Sequence, residues 1–453
     1  MVSINGDLPQ QQNQRLNNND DDREYDNRQQ QEQQELQPEM QRVPYRLHKQ
    51  AMNGNLATLG SDCPLLRDYL ATKDGPGWAA MKVVVAFVRG FSQCVFANNP
   101  ISGVILMGSV ISVAPATFAV CSAAGFLGHL ISILLREPKV NLDNGLAVFN
   151  PLIFGSVSYT FVPLVYSPGF DGFSVSLALL CVVFIAYFWR GCGHGSYPCL
   201  TMPFNLAELL LLFVLKNAQD RMNLASAAAA LVDDAANGTA TATEQRAIVE
   251  NATTLVVSAA TSPDWGMVFR GSIVSASQLF VVDNVALGAI IYLSVLIYSP
   301  FTCLFGYLGA LGGSLVGIQM GAPLDTVYRG LWGFNSYLTA ASLGGSFLVV
   351  NAQVACATAV SVLCTGIIQH VMQIIFAPVG LPVGTIPFVL TTWLFIGLGR
   401  SPEGTFPYPV TMSSPEGQRI EYLAKRRREK LEKLSQMDDP PEILVLNGKA
   451  TLM

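Results

Sequence analysis

Two stretches far apart in the chain read alike: FSQCVFANNPISG at residues 91–103 and ASQLFVVDNVALG at 276–288. Gln93 matches Gln278, Asn99 matches Asn284 and Gly103 matches Gly288, each at an offset of 278 − 93 = 185 residues. The offset returns downstream, where GLAVFN at 145–150 stands against GLWGFN at 330–335, pairing Phe149 and Asn150 with Phe334 and Asn335. A third block follows at an offset of 184: PCLTMPF at 198–204 and PVGTIPF at 382–388 both read Pro-x-x-Thr-x-Pro-Phe, around Thr201 and Thr385. Three blocks in one order at nearly constant spacing mean that one structural unit is present twice.

The unit belongs in a membrane. Of 453 residues 51% are hydrophobic and only 13% charged, with a mean hydropathy of +0.37, too apolar for a water-soluble protein of this length. A helix needs about 20 apolar residues to cross the hydrocarbon core. Candidates lie near 79–98, 101–118, 119–136, 171–189 and 200–216, then near 264–282, 285–301, 302–320, 347–376 and 385–398. Two further apolar stretches, 145–164 and 330–345, are broken by Asn, Pro, Gly and Ser. Such interruptions suit half-spanning, re-entrant segments held inside protein.

Polar segments set the domain organisation. Residues 1–75 read as a disordered cytoplasmic tail, because the Gln-, Asn- and Asp-rich start has too little apolar surface to order itself and lacks the apolar run of a secretory signal. The first transmembrane repeat is expected over 76–216, a linker over 217–262, the second repeat over 263–400 and a cytoplasmic tail over 401–453. The linker holds two sequons, at Asn237 and Asn251, which place it outside the cell if either is glycosylated. The basic run AKRRREKLEK at 424–433 favours a cytoplasmic C terminus. Cytoplasmic termini around an extracellular middle require an odd number of spans per half. The expected fold is therefore an all-α integral membrane protein of two inverted five-helix repeats, each with a re-entrant half-spanning segment.

What both halves keep is polar but uncharged: amides, a threonine hydroxyl, Phe, Pro and Gly, with no shared carboxylate, lysine or histidine. In hydrocarbon such a set fits an uncharged polar solute. Each pair of prolines interrupts a helix and frees nearby carbonyls, which is tolerated at membrane depth where backbone lines a cavity. Thr201 and Thr385 add hydroxyls to that row, each box building half of a polar lining. The alternative for the repeated glutamines is that amides glue helices together; their shared offset, each followed 57 residues later by Asn, favours a pore. Phe204 and Phe388 read as packing residues.

The SQxxFxxNN stretch, GLWGFNS, the two proline–threonine boxes and the late TFPYP resemble the eukaryotic urea transporter family, from about Asp68 to Glu416. The resemblance implies a ten-span inverted repeat, a pore inside each protomer and a homotrimer in the plasma membrane. It implies pore mouths at Gln93 with Asn150 and at Gln278 with Asn335, slot walls at Phe96 and Val281, and a central constriction at Thr201 and Thr385. The implied partners are urea and the lipid bilayer, without nucleic acid, and the implied activity is passive facilitated diffusion, not an enzyme's. Urea is planar, with one acceptor oxygen and four N–H donors, which amide oxygens and freed carbonyls would take.

Other readings stay open. An ion-coupled transporter, or a channel for ammonia, water or a urea analogue, shares this plan. Asp283 and Glu208 are the acids available for coupling. Asp283 stands opposite Asn98 in the repeat, which suggests a bend or cap; Glu208 departs from the family pattern and is expected at a trimer contact or an interfacial position rather than in the pore. Tyr197 and Cys199 also depart from it. Cys192, His194 and Cys199 lack paired spacing and a fourth ligand, so no metal is expected, and no cofactor either.

Overall fold

A computed structural model describes residues 62–193, 197–237, 262–400, 405–409, 413–435, 444–446 and 449–451. Residues 1–61 of the N-terminal tail lie outside it, as do Asn251 and most of the linker. Apart from a two-strand antiparallel hairpin, β1 (Leu444–Leu446) and β2 (Lys449–Thr451), the regular structure is helical, and the architecture is that of an all-α membrane protein.

After α1 (Pro64–Ala71), the first half runs α2 (Pro76–Gln93), α3 (Pro100–Val113), α4 (Pro115–Leu134), α5 (Lys139–Asp143), α6 (Phe149–Val165), α7 (Gly172–Cys192) and α8 (Met202–Asn237). The second half repeats the order as α9 (Trp265–Ser277), α10 (Val285–Tyr298), α11 (Pro300–Gln319), α12 (Leu324–Tyr328), α13 (Phe334–Ala341), α14 (Ala352–Phe376) and α15 (Ile386–Ile396), before a final α16 (Pro415–Ser435). The sequence sets these boundaries locally. Proline begins α2, α3, α4 and α11, where its missing N–H is not needed. Asn99 caps α3 through Ile101 N and Ser102 N, at 2.7 and 3.2 Å, and Asn284 caps α10 through Leu287 N at 2.9 Å. Repeated asparagines thus do repeated work, satisfying amides that a helix start leaves open.

Close backbone crossings recur as well. Any Cβ on Gly103 would collide with the carbonyl of Val88, and on Gly288 with that of Ile273, so α2 meets α3 and α9 meets α10 at the same positions of the repeat. Gly145 and Gly330 share positive φ, 71° and 76°, and each abuts backbone, of Gly90 and Ser275 respectively. Only glycine fits such places without strain, and small residues are what let membrane helices approach.

Among the described residues, α4, α7, α11 and α14 are each long and apolar enough to cross a bilayer, and α9 with α10 forms a further candidate bent by 82°. Of these, α4 exposes Leu134, α7 Leu180, α11 Leu304 and α14 Ile374, a surface suited to lipid rather than water. Two element extents differ from the sequence reading. The stretch from 200 continues as one 36-residue helix to Asn237, since the Ala-rich segment after 224 favours helix. The candidate span at 347–376 begins only at Ala352, because a π turn over Ser342–Ser346 and non-helical Gly344 and Gly345 break the chain first.

The halves are joined across the centre. Ser102 Oγ donates to Ser294 O at 2.6 Å, Ser156 Oγ to Phe280 O at 2.7 Å and Trp393 Nε1 to Pro198 O at 2.8 Å. Phe91 and Phe280 stack between them at 6.5 Å.

Candidate functional site

Two cavities lie inside the bundle, of about 340 and 250 Å³. Gln278, Val281, Asn335 and Thr385 line the larger; Gln93, Phe96 and Thr201 line the smaller. Cys94, Ile153 and Leu338 line both, so they ring the junction, and Ile153 and Leu338 are themselves 185 residues apart. Among the described residues, none that lines either cavity carries a charged side chain.

Each repeated glutamine is held in the same way. Gln93 Nε2 donates to Asn144 O at 2.9 Å and Gln278 Nε2 to Arg329 O at 2.7 Å, and these carbonyls again occupy equivalent positions. With one N–H held on a carbonyl, each amide keeps its oxygen and one further N–H for other partners. The asparagines sit deeper. Asn150, 1% exposed, borders neither cavity and donates to Leu200 O at 3.0 Å. Asn335 donates to Gln369 Oε1 at 3.0 Å and Gly384 O at 3.3 Å, while its own Oδ1 is buried without a partner among the described residues. Both therefore tie the α6 and α13 starts to the carbonyl preceding each threonine.

Phe96 and Val281 lie where the backbone is strained. Three residues past each glutamine the chain adopts left-handed φ, 60° at Phe96 and 56° at Val281. For a β-branched valine this is unusual, costing on the order of 1–3 kcal/mol, and such outliers concentrate at functional sites. The turn closes α2 and α9 and swings each side chain to its cavity wall. Phe96 meets Phe388 edge-on at 5.9 Å. Phe388 lines the smaller cavity and Phe204 the larger, so these two do more than fill the core.

At the junction Thr201 Oγ1 and Thr385 Oγ1 are 2.6 Å apart, each almost fully buried. Asn205, which the sequence reading passed over, contacts both. Its Nδ2 lies 2.9 Å from Thr201 O and from Thr385 Oγ1, and its Oδ1 accepts from Thr385 N at 2.9 Å.

Other singled-out residues stand apart from the cavities. Glu208 is 4% exposed and accepts from Ser158 Oγ at 2.8 Å, so it lies within the protomer between α6 and α8 and not at an outer contact face. Asp283 pairs with Arg329 at 3.0 Å and Arg270 at 3.7 Å, leaving the capping to its neighbour Asn284. Buried Arg89 bonds Asn98 Oδ1 at 2.8 Å and Asp62 O at 2.9 Å. Cys192 is exposed and Cys199 buried; His194 is outside the described residues. Asn237 ends α8.

The family model described as "UT: Urea transporter" matches residues 84–400, which take in both cavity-forming repeats from Gln93 to Thr385. The chain belongs to the urea transporter family. It is similar to urea transporter 1 of Ovis aries, 28% identical over 364 residues that cover 79% of this chain and 87% of that protein. Urea transporter 1 of Rattus norvegicus, 28% identical, and of Mus musculus, 27% identical, are each covered to 89% by the same share of this chain. The matched segment stops before Ser413 and Gln418, two C-terminal residues that also line the smaller cavity.

Proposed function

We propose that the chain carries urea across the membrane by passive, channel-like diffusion through the two cavities, joined past the threonine pair. The observation that carries this reading is the lining: amide oxygens at Gln93 and Gln278, apolar walls, hydroxyls at the junction and, among the described residues, no charged side chain along either cavity. Oxygens accept urea's N–H donors, and apolar walls turn back solutes that must keep a hydration shell. An ion-coupled cycle would need a titratable or cation-binding group beside the solute; Glu208 and Asp283 border neither cavity. The names of the relatives support urea as the solute.

In the same reading the two halves form an inverted repeat with α6 and α13 as re-entrant segments. Both termini face the cytoplasm, the linker is glycosylated, and protomers assemble as plasma-membrane trimers with one conduit each. The glutamines test the conduit directly. Gln278→Ala should reduce tracer urea flux at least several-fold at unchanged surface protein, and Gln93→Ala likewise. Wild-type flux in both variants would contradict the assignment.

A further inference from the structure

The threonine junction looks symmetric in sequence but is not symmetric in its hydrogen bonds. Asn205 stands four residues after Thr201; the equivalent place after Thr385 is Val389. One amide therefore serves both threonines, and backbone groups fix its orientation. Its nitrogen faces a carbonyl, Thr201 O, at 2.9 Å, and its oxygen faces an N–H, that of Thr385, at 2.9 Å. Neither partner can reverse polarity, so the amide cannot flip without losing both bonds.

The remaining Nδ2 proton then has a defined use. Thr385 Oγ1 lies 2.9 Å from Nδ2 and Thr201 Oγ1 3.4 Å, so Thr385 is the better acceptor. The Thr385 hydroxyl has one proton to give. Asn205 Oδ1 is 3.2 Å away and already engaged, whereas Thr201 Oγ1 is at 2.6 Å. The shorter contact is the stronger one, and in the arrangement where it takes the proton that proton points at Thr201. A single proton occupies that short contact, and the hydrogen of Thr201 itself then has no further acceptor among the described residues on the side of the cavity that Thr201 lines.

We propose that Asn205 is a positioning residue that polarises the threonine pair, making Thr201 a hydrogen-bond donor at the junction and selecting solutes that carry a strong acceptor oxygen. The inference rests on the passive urea conduit proposed above and adds a direction to it. The mouths present acceptors to a solute's N–H groups, and the centre presents a donor to its carbonyl. Planar amides and ureas satisfy both; a thiocarbonyl analogue keeps the N–H donors but offers a poor acceptor.

Tracer fluxes of urea and thiourea through the full-length protein in proteoliposomes test this as a ratio. Asn205→Leu should lower the urea-to-thiourea ratio about tenfold, the worth of one buried hydrogen bond, and combining it with Thr201→Val should lower the ratio little further. Thr201→Val alone should lower it as much. Thr385→Val should keep the wild-type ratio, because Asn205 Nδ2 can then turn to Thr201 Oγ1 and leave its proton outward. A merely structural role for Asn205 would reduce both fluxes in proportion. An unchanged ratio in a correctly inserted Asn205→Leu protein would overturn the proposal, as would equal ratio losses in the two threonine variants. If Asn205→Leu fails to insert, the threonine pair decides alone. Wild-type protein that conducts neither solute would instead defeat the urea reading, and this inference with it.

Discussion

Leu200 and Gly384 hold the same place before the two threonines, and both have left-handed backbone, at φ 52° and 62°. That turn aims each carbonyl at an asparagine, Leu200 O at Asn150 and Gly384 O at Asn335. Leucine adopts it at a cost of about 1–2 kcal/mol, offset by burial of its side chain. Glycine adopts it freely. A Cβ at 384 would also come within 2.6 Å of Asn205 Oδ1. Gly384→Ala is therefore expected to destabilise the protein by about 2 kcal/mol and to slow urea flux through Asn205. A melting temperature in detergent equal to the wild type would contradict the first part. At this scale, comparing the chain with itself finds what both halves share. It led to Gln93, Gln278, Thr201 and Thr385, and it missed Asn205 for the same reason, since Val389 replaces it in the second half. Asn150 and Asn335 were legible as a pair, but not their task of holding carbonyls, which depends on distances that no spacing encodes.

Helix boundaries were readable wherever a proline or asparagine marks them, as at Pro100, Pro115, Pro300, Asn99 and Asn284. They were obscure where tertiary context decides, as at the π turn over Ser342–Ser346, whose Gly345 packs against Pro415 of the C-terminal helix. The crossings of α2 with α3 and of α9 with α10 depend on Gly103 and Gly288. Replacing either by leucine forces backbone apart, since the obstructing atom is a carbonyl that cannot rotate away. Gly288→Leu should yield no monodisperse protein by size-exclusion chromatography, whereas Gly380→Ala, where a Cβ meets nothing within 4 Å, should cost only its left-handed φ of 67°. A normal elution profile for Gly288→Leu would show that the crossing can relax. The C-terminal element also belongs to the smaller cavity's wall, through Ser413 and Gln418: Glu416 Oε1 accepts from Ser299 Oγ and Phe301 N, both at 2.9 Å, pinning α16 to the start of α11.

Across the whole molecule, the two halves are built on one plan with different chemistry. Asn98 Nδ2 donates to Asn144 Oδ1 at 2.9 Å in one half; in the other the equivalent positions are Asp283 and Arg329, paired at 3.0 Å. Asp283 and Arg329 are each about a third or more exposed, so the ion pair contributes little to stability, and its charges fall outside the lining. Duplication explains the repeated glutamines, caps and glycine crossings together, and divergence of a few positions gives the two halves and the centre their own character. The central claim is a conduit for an uncharged solute driven by its own gradient. It is tested most directly by radiolabelled urea uptake into proteoliposomes holding the full chain, with sodium and pH gradients imposed in either direction or absent. The account expects fast uptake that follows the urea gradient alone and does not overshoot equilibrium. Uptake that concentrates urea against its gradient when an ion gradient is imposed would contradict it.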